Sequence, residues 1–547
     1  MADYRAPAPA PDGGRINVRA GRREWTGLAV LLFPLLLVSM DVSVLYFATP
    51  FISAALDPSA AQQLWIVDVY GFVLSGLLIT MGVLGDRIGR RCLLLLGAAA
   101  FGASSLAAAY SASASMLIAA RAVLGLAGAT LMPSTLALIR NMFHDPRQRR
   151  TAVAVWTAGL SAGIAVGPVI SGVLLDHFWW GSVFLINIPV MALLLVLGPV
   201  LVPEFRHPAP GRFDLASAVL SLGSVLGVVY GIQQLAQDGP RPVPVAAVVA
   251  GVAVAALFVR RQRRRPDPVI DIGLFRNRAF SAAIGINVLA IFGIVGFAFF
   301  ATQFLELVLA LRPLTAALWQ LPVTVLVAAV APAAAKLAGK VRPAFVIGTG
   351  LLIAALGFAV VTQVRAHWAL GLLLTAAALY ATGLVAGMAL TADMILTAVP
   401  AERAGAASAL SETANELGGA LGIAVLGSIG AAVYRHDMAG AVPAGLPPAA
   451  AHAAGQTLGG ATAVARRLPE RSGAALLHAA HQAFTAGMHV AAVTNVAVMV
   501  AAATAAVVIL RHVRAGPLPA EPGAEPDGAP DRRQAAPASG GSGSVAP

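Results

Sequence analysis

Fourteen apolar runs, each long enough to cross a bilayer, constrain this chain more than any other feature. A transmembrane helix needs about 20 apolar residues, because backbone polar groups must be paired inside the hydrocarbon. The composition agrees, since 11% of the residues are charged, against about 25% in soluble domains. The sequence therefore predicts an all-α polytopic membrane protein and excludes a soluble enzyme. The predicted spans are residues 26–49, 62–82, 92–110, 115–139, 151–175, 181–202, 213–235, 243–260, 279–307, 315–335, 343–364, 368–398, 404–433 and 484–510.

The basic residues indicate which way the chain crosses the membrane. With the N-terminus inside, 29 of the 37 lysines and arginines fall in inside segments, seven in outside segments and one, Arg121, within a span. Such an excess is typical of the cytoplasmic side, so the N- and C-termini are both predicted to be cytoplasmic. It explains the net charge of +12 without nucleic acid as a partner. The arginine run at residues 260–265 is either an anchor for this topology or a binding site for anionic lipid headgroups.

The spans divide into two groups of six with two spans between them. The pattern Pro-x-x-Arg-x-x-Ala at residues 146–152 recurs at residues 400–406, before the fifth and thirteenth spans. Related halves around a midplane site are common in secondary transporters.

The run after Arg22 and Arg23 is too long for a signal-peptide core, so the first span is expected to be retained. The predicted organisation is a disordered cytoplasmic tail (1–24), an N-terminal six-helix half (25–203), two additional helices (204–265), a C-terminal six-helix half (266–510) with an extracellular loop (434–483), and a disordered cytoplasmic tail (511–547).

Charged residues inside the spans are candidates for function, because each costs roughly 2.5–3.5 kcal/mol to insert. Asp41, Asp68 and Arg121 come from three spans but have similar depths along their helices. Arg121 can neutralise one carboxylate and leave the other to exchange a proton near neutral pH. Asp41 is the leading proton-coupling residue or else a structural partner of Arg121. Asp68 is a second proton or cation site or else a hydrated helix cap, and Arg121 orients both carboxylates or only packs between helices.

The thirteenth span carries two further acidic residues. Glu412 and Glu416 are four positions apart and therefore share one helix face. Glu416 lies deeper and is a candidate for binding a proton or a cationic ligand. Glu412 has the same candidate role or else lies in a hydrated vestibule. Glu306 lies near the outer end of the ninth span.

The short inside connection at residues 82–91 reads Gly-Val-Leu-Gly-Asp-Arg-Ile-Gly-Arg-Arg. Glycines permit a tight turn and close helix approach, and the aspartate can pair with the arginines. This segment resembles the signature loop of the major facilitator superfamily at every diagnostic position. In that family the loop acts as a latch between two halves. The resemblance implies a conformational switch made of Gly82, Gly85, Asp86, Arg87, Gly89, Arg90 and Arg91.

Other motifs resemble one branch of this superfamily. Residues 159–172 are similar to the antiporter motif that separates exporters from importers, with Ser171 at a position that is usually glycine. The segments around Asp41 and Arg121 resemble motifs of the fourteen-helix drug:proton antiporters. An aspartate at position 68 is most similar to the quaternary-ammonium-compound exporters. The antiporter-motif residues are Gly163, Gly167, Pro168 and Gly172.

The resemblance implies a major facilitator fold of two six-helix halves plus two inserted helices. It implies proton-coupled efflux of lipophilic, often cationic drugs across the bacterial cytoplasmic membrane by alternating access. Substrate would be bound by Asp41, Glu412 and Glu416, with Tyr46 and Trp156 stacking on it, although each ring also has helix packing as its alternative. We expect no metal, no enzymatic activity, no cofactor beyond the proton gradient, contact with membrane lipids, and a monomer. The alternative function is a dedicated proton-coupled exporter of an endogenous secondary metabolite or antibiotic.

Overall fold

The computed structural model describes residues 20–206, 214–239, 241–265, 268, 272–338, 340–365, 369–399, 404–443 and 446–511. These residues form helices and contain no β-strand. Within them, fourteen helical segments are long and apolar enough to cross a membrane, which confirms the predicted spans. The predicted all-α polytopic fold class is therefore confirmed. The tails predicted to be disordered lie outside the described residues, apart from residues 20–24 and Arg511, and so do residues 400–403 of the second repeat.

The first group of spans consists of α1 (Arg22–Leu56), α2 (Ala60–Ile88), α3 (Arg90–Ala109), α4 (Ala114–Met142), α5 (Pro146–His177), and α6 (Ser182–Leu185) with α7 (Asn187–Leu201) as the sixth span. The two additional spans are α8 (Leu215–Asp238) and α9 (Pro242–Arg264). The remaining helices are α10 (Arg278–Gln303), α11 (Pro313–Ala338), α12 (Pro343–Val361), α13 (Ala369–Thr397), α14 (Ala404–Met438), the short α15 (Pro448–Gln456) and α16 (Leu458–Ala465), and α17 (Glu470–Leu510). A 3₁₀ helix covers Ile272–Arg276, and a π-helical turn covers Phe304–Val308 at the end of α10.

Local sequence signals set several helix ends. α2 begins after Ser59, whose hydroxyl accepts a hydrogen bond from the Gln62 N–H at 3.2 Å, and α5 begins after Asp145, whose carboxylate accepts from the first helical turn. Such side chains pair N–H groups that a helix start leaves free. α2 ends at Gly89, whose φ of +114° strongly favours glycine. The chain therefore turns directly from α2 into α3.

The two halves, α1–α7 and α10–α17, meet along α1 with α10 and α16, α2 with α14, and α5 with α11. Ala20 and Arg511 lie on one face of the bundle, called here the terminal face; the other is the opposite face. Side-chain polar contacts between long helices of the two halves lie near the opposite face. Gln63 Nε2 donates to Gln303 Oε1 at 3.2 Å, and Arg312 pairs with Asp176 at 3.0 Å. The halves are therefore in contact at the opposite face.

The two additional helices pack on each other, and α8 also lies against α2 and α14, one helix from each half. An apolar cluster of Phe72, Val229, Ala420 and Ala424 fills this three-helix contact. Since burying such side chains stabilises the contact, α8 covers the junction between the halves along α2 and α14.

Asp214 joins the adjacent ends of α8 and α9 at the terminal face. Its carboxylate accepts from the Ser217 N–H at 3.2 Å and pairs with Arg261 at 2.9 Å and Arg265 at 3.0 Å. Burial alone would raise the pKa of Asp214, but hydrogen bonds from Arg261 and Ser217 and the charge of Arg265 lower it to about 2. Two arginines of the run at 260–265 are thus held by an acidic side chain of the protein, which favours an anchoring role for that run.

The segment 434–483, predicted as an extracellular loop, is largely helical. α14 extends into it, α15 and α16 lie within it, and α17 begins before its end. α16 packs against α1, where Gly459 meets Ser53, and Gln456 Oε1 accepts from the Ala60 N–H at 3.3 Å. Small residues in α16 permit this close approach, so the segment covers the opposite-face end of α1.

Candidate functional site

An ion pair between Asp41 of α1 and Arg121 of α4 lies inside the first half. Arg121 is fully buried and Asp41 is 8% exposed. The guanidinium also donates to two backbone carbonyls of α2, from Nε to Ile66 O at 3.0 Å and from Nη2 to Val67 O at 3.3 Å. Its carbon lies 4.9 Å from the centroid of the Tyr70 ring. Arg121 therefore links α1, α2 and α4 through a donor geometry that lysine lacks.

Asp68 of α2 lies within electrostatic reach of Arg121 but forms no ion pair in the described part of the chain. Its exposure is 1%, which is not compatible with a hydrated helix cap. Oδ2 accepts a hydrogen bond from Gln233 Nε2 at 3.2 Å, whereas Oδ1 has no hydrogen-bond partner among the residues that the structure describes. The three charges from the first, second and fourth spans thus come together, with one carboxylate neutralised and the other without a cation.

Gln233 was not predicted as a site residue. It lies on α8, is 2% exposed, and provides the hydrogen bond to Asp68. Its signal in the sequence is the polar pair Gln233 and Gln234 inside an otherwise apolar run. An inserted helix therefore contributes directly to the charged site.

The acidic residues of α14 approach this site from the second half. Glu412 and Glu416 are half-buried and close enough for their charges to act on each other. The charge of Glu416 also reaches the phenols of Tyr46 and Tyr70. Tyr46 crosses the junction, because its hydroxyl donates to Val295 O of α10 at 3.4 Å. Glu416 therefore lies within electrostatic range of two tyrosines of the first half.

Trp156 lies apart from this group. Its indole N–H donates to Thr135 Oγ1 of α4 at 3.2 Å, and the side chain is half-buried. It lies about 15 Å along α5 from the terminal face, whereas Tyr46 lies about 36 Å along α1 from the same face. The structure does not bring these two predicted substrate-stacking residues together.

The loop at residues 82–91 is held by contacts within the first half. Asp86 Oδ1 accepts from Arg90 Nε at 2.9 Å, and Arg91 Nη1 donates to two carbonyls at the end of the sixth span. Glu204 accepts the backbone N–H groups of Arg91 and Cys92 at 3.0 and 3.2 Å, which caps the start of α3. Glu204 was missed from the sequence because its partners are more than 100 positions away.

Residues 159–172 pack α5 against α1 of its own half and against α11 of the other half. A Cβ on Gly163 would lie 2.7 Å from Leu36 O, and one on Gly172 would lie 2.6 Å from the Leu314 Cα of α11. Gly167 likewise abuts α1, and Pro168 lies within the continuous helix. Ser171, the departure from the motif, donates to Val44 O at 3.0 Å. The glycine face is therefore a close helix contact, and the serine adds a hydrogen bond to it.

A family model described as the Major Facilitator Superfamily matches residues 31–423. The chain belongs to this superfamily. The family resemblance predicted from the signature loop is thereby confirmed. The superfamily and the fourteen apolar helices identify a multi-pass bacterial membrane transport protein rather than an enzyme.

Two curated relatives extend over most of the chain. The multidrug efflux pump LfrA of Mycolicibacterium smegmatis is 46% identical over 497 residues, covering 91% of this chain and 98% of that protein. The tetracenomycin C resistance and export protein of Streptomyces glaucescens is 32% identical over 491 residues, covering 88% and 91%.

The fold is similar to a solved transporter structure. A bacterial homologue of the human lysosomal transporter Spinster, in an inward-facing and unoccupied conformation, superposes with a TM-score of 0.63 at 17% identity. The match covers 91% of this chain and 100% of that one. The predicted major facilitator fold is confirmed.

Proposed function

We propose that this protein exports lipophilic, often cationic drugs across the bacterial cytoplasmic membrane, in exchange for protons, by alternating access. Drug export is supported by the 46% identity to a multidrug efflux pump over nearly the whole length of both chains. The excess of basic residues on the terminal face supports a cytoplasmic location for that face. Drug would therefore enter from the terminal face and leave at the opposite face.

Proton coupling is supported by a difference between two neighbouring carboxylates, of which one is paired with a cation and the other is not. Asp41 is neutralised by Arg121, whereas Asp68 is 1% exposed and has one oxygen without a partner. A buried carboxylate without a cation costs several kcal/mol, so it is stabilised by binding a proton or a cationic substrate. Asp68 therefore takes the proton in this conformation, and movement of Arg121 between the two carboxylates would release it.

The acidic residues of the second half provide the negative charge that binds a cationic substrate. Glu416 interacts with the tyrosines next to the ion pair, and Tyr46 connects the halves. A cationic drug bound by Glu416 and Glu412 would contact Tyr46 and come near Asp41. Trp156 would contact drug only on its way from the terminal face. No cofactor beyond the proton gradient enters this scheme, and the protein acts as a monomer in contact with lipid.

The two sequence motifs have structural roles in this scheme. The hydrogen bonds cited for the loop at residues 82–91 stay on the side of the first half, as expected for a latch released while the opposite face is closed. The glycine face of α5 touches α1 and α11 and forms a surface on which the halves rock.

The test is ethidium transport by the full chain in proteoliposomes under an imposed pH gradient. We expect gradient-driven transport by the native protein and by Asp437→Asn, whose side chain is exposed. We expect Asp41→Asn and Asp68→Asn to lose the dependence on the gradient. Native protein that moves ethidium equally well without any gradient would contradict proton coupling.

A second function is favoured by the relative named for tetracenomycin C export. In that case the chain exports one endogenous secondary metabolite or antibiotic, also in exchange for protons. Transport of several chemically unrelated cations would exclude it. Failure to move any lipophilic cation, together with export of a single compound made by the host cell, would establish it instead.

A further inference from the structure

The opposite face holds a second buried acidic group, separate from the site described above. Glu306 lies at the end of α10 and is 8% exposed, and within the described residues neither of its carboxylate oxygens has a hydrogen-bond partner. Asp176 at the end of α5, in the other half, is close enough for the two charges to act on each other. Arg312 pairs with Asp176 at 3.0 Å. One cation therefore serves two carboxylates, and it is bound to Asp176.

The other helices around Glu306 do not supply an ion pair for its carboxylate within the described residues. α17 brings His481, which lies near the backbone of Leu307, and His478, whose charge acts on His481. α16 has no charged side chain within its bounds, and α1 is followed by Asp57, which is exposed. The start of α11 contributes only Arg312, which Asp176 binds.

The backbone around Glu306 is irregular. Phe304–Val308 form a π-helical turn, which is rare and frequently found at functional sites. Ala310 has a φ of +53°, a left-handed conformation that alanine seldom adopts. Such strain persists only where the surrounding structure enforces it, so the neighbouring helices hold this segment in place.

We propose that Glu306 binds a proton that keeps the opposite face closed. When Glu306 is protonated, it carries no charge that repels Asp176. When it is ionised, two buried carboxylates from different halves repel each other and only one has a cation. The halves then separate at this face. Protonation of Glu306 controls only the opening of the opposite face. The proposal therefore does not depend on whether protons drive drug export.

The test measures the opening of the opposite face without substrate. The full chain with Cys92→Ser, Ala112→Cys and Gln363→Cys is spin-labelled in lipid nanodiscs, because residues 112 and 363 are exposed on this face in different halves. Distances are measured by electron paramagnetic resonance between about pH 5.5 and pH 8.5. We expect the longer-distance population to rise roughly fivefold or more with pH, a normal coupling strength. In Glu306→Gln the short distance should persist throughout.

Two further variants make the result specific. Glu470→Gln, an exposed acidic residue on the same face, should keep the native response. Asp176→Asn should keep the short distance at high pH as well, because it removes the charge that repels ionised Glu306 and frees Arg312 to pair with Glu306. A native distance distribution that does not change with pH, or an equal change in Glu306→Gln, would overturn the proposal. Because no drug is present, this outcome is independent of the transport assay.

Discussion

At the residue scale, Arg121 is the group on which the first-half site depends. Its donors reach one carboxylate and two backbone carbonyls, and its face covers a tyrosine ring. Removing it leaves Asp41 as a buried anion, which is more costly than removing both charges.

We expect Arg121→Gln to lower the free energy of unfolding by about 3–5 kcal/mol, the usual cost of breaking a buried pair. Adding Asp41→Asn should recover part of the loss, because no unpaired charge then remains. Thermal unfolding of the detergent-purified single and double variants measures both effects as a double-mutant cycle. A double variant no more stable than Arg121→Gln would show that the ion pair is not the source of the loss.

At the element scale, α5 approaches α1 through glycine where no side chain fits. We expect Gly163→Ala to destabilise the protein by about 1–3 kcal/mol, as overpacking does, because its Cβ would meet the Leu36 backbone oxygen. Gly223→Ala on α8 is the matched control, since nothing lies within 4 Å of its Cβ. Melting temperatures of the two variants measure the difference. Equal melting temperatures would contradict the close contact.

Also at the element scale, the ion pairs of Asp214 with Arg261 and Arg265 join the ends of α8 and α9 and make the stability of the protein depend on pH. The pKa of Asp214 is lowered to about 2, so the folded state favours its ionised form. The resulting stability is present above about pH 4 and is lost as the pH falls toward 2. We expect Asp214→Asn to lose about 1 kcal/mol at pH 7, after allowance for solvent screening at this face. The free energies of unfolding of the native protein and the variant, measured from pH 7 downward, should converge in acid. A difference that does not depend on pH would contradict a stabilising role for the Asp214 ion pairs.

At the scale of the whole molecule, the contact between the halves at the opposite face must break during transport. Gln63 and Gln303 meet across it at 3.2 Å. In a Cys92→Ser background, we expect Gln63→Cys with Gln303→Cys, joined by a short cleavable cross-linker, to stop ethidium transport because the face cannot open. Reductant should restore transport, and Gln63→Cys alone should be unaffected by the cross-linker. Undiminished transport by the cross-linked protein would contradict opening at this face.

The sequence by itself determined the number of spans, the fold class and the family. These follow from the length and apolarity of each run, which the bilayer demands of each helix separately, and from the short motif at residues 82–91. It also indicated that Asp41, Asp68 and Arg121 lie at one depth, because helical rise converts position into depth.

Only the tertiary structure decided how these charges are paired. Depth along a helix does not specify which way a side chain points, so the choice of Asp41 over Asp68 as the partner of Arg121 depended on helix packing. Gln233 and Glu204 reach their partners across 165 and 113 positions, and no local pattern encodes such a contact. The same holds for Glu306 and Asp176, which come from different halves and lie within electrostatic range of each other only because the two halves are in contact at the opposite face.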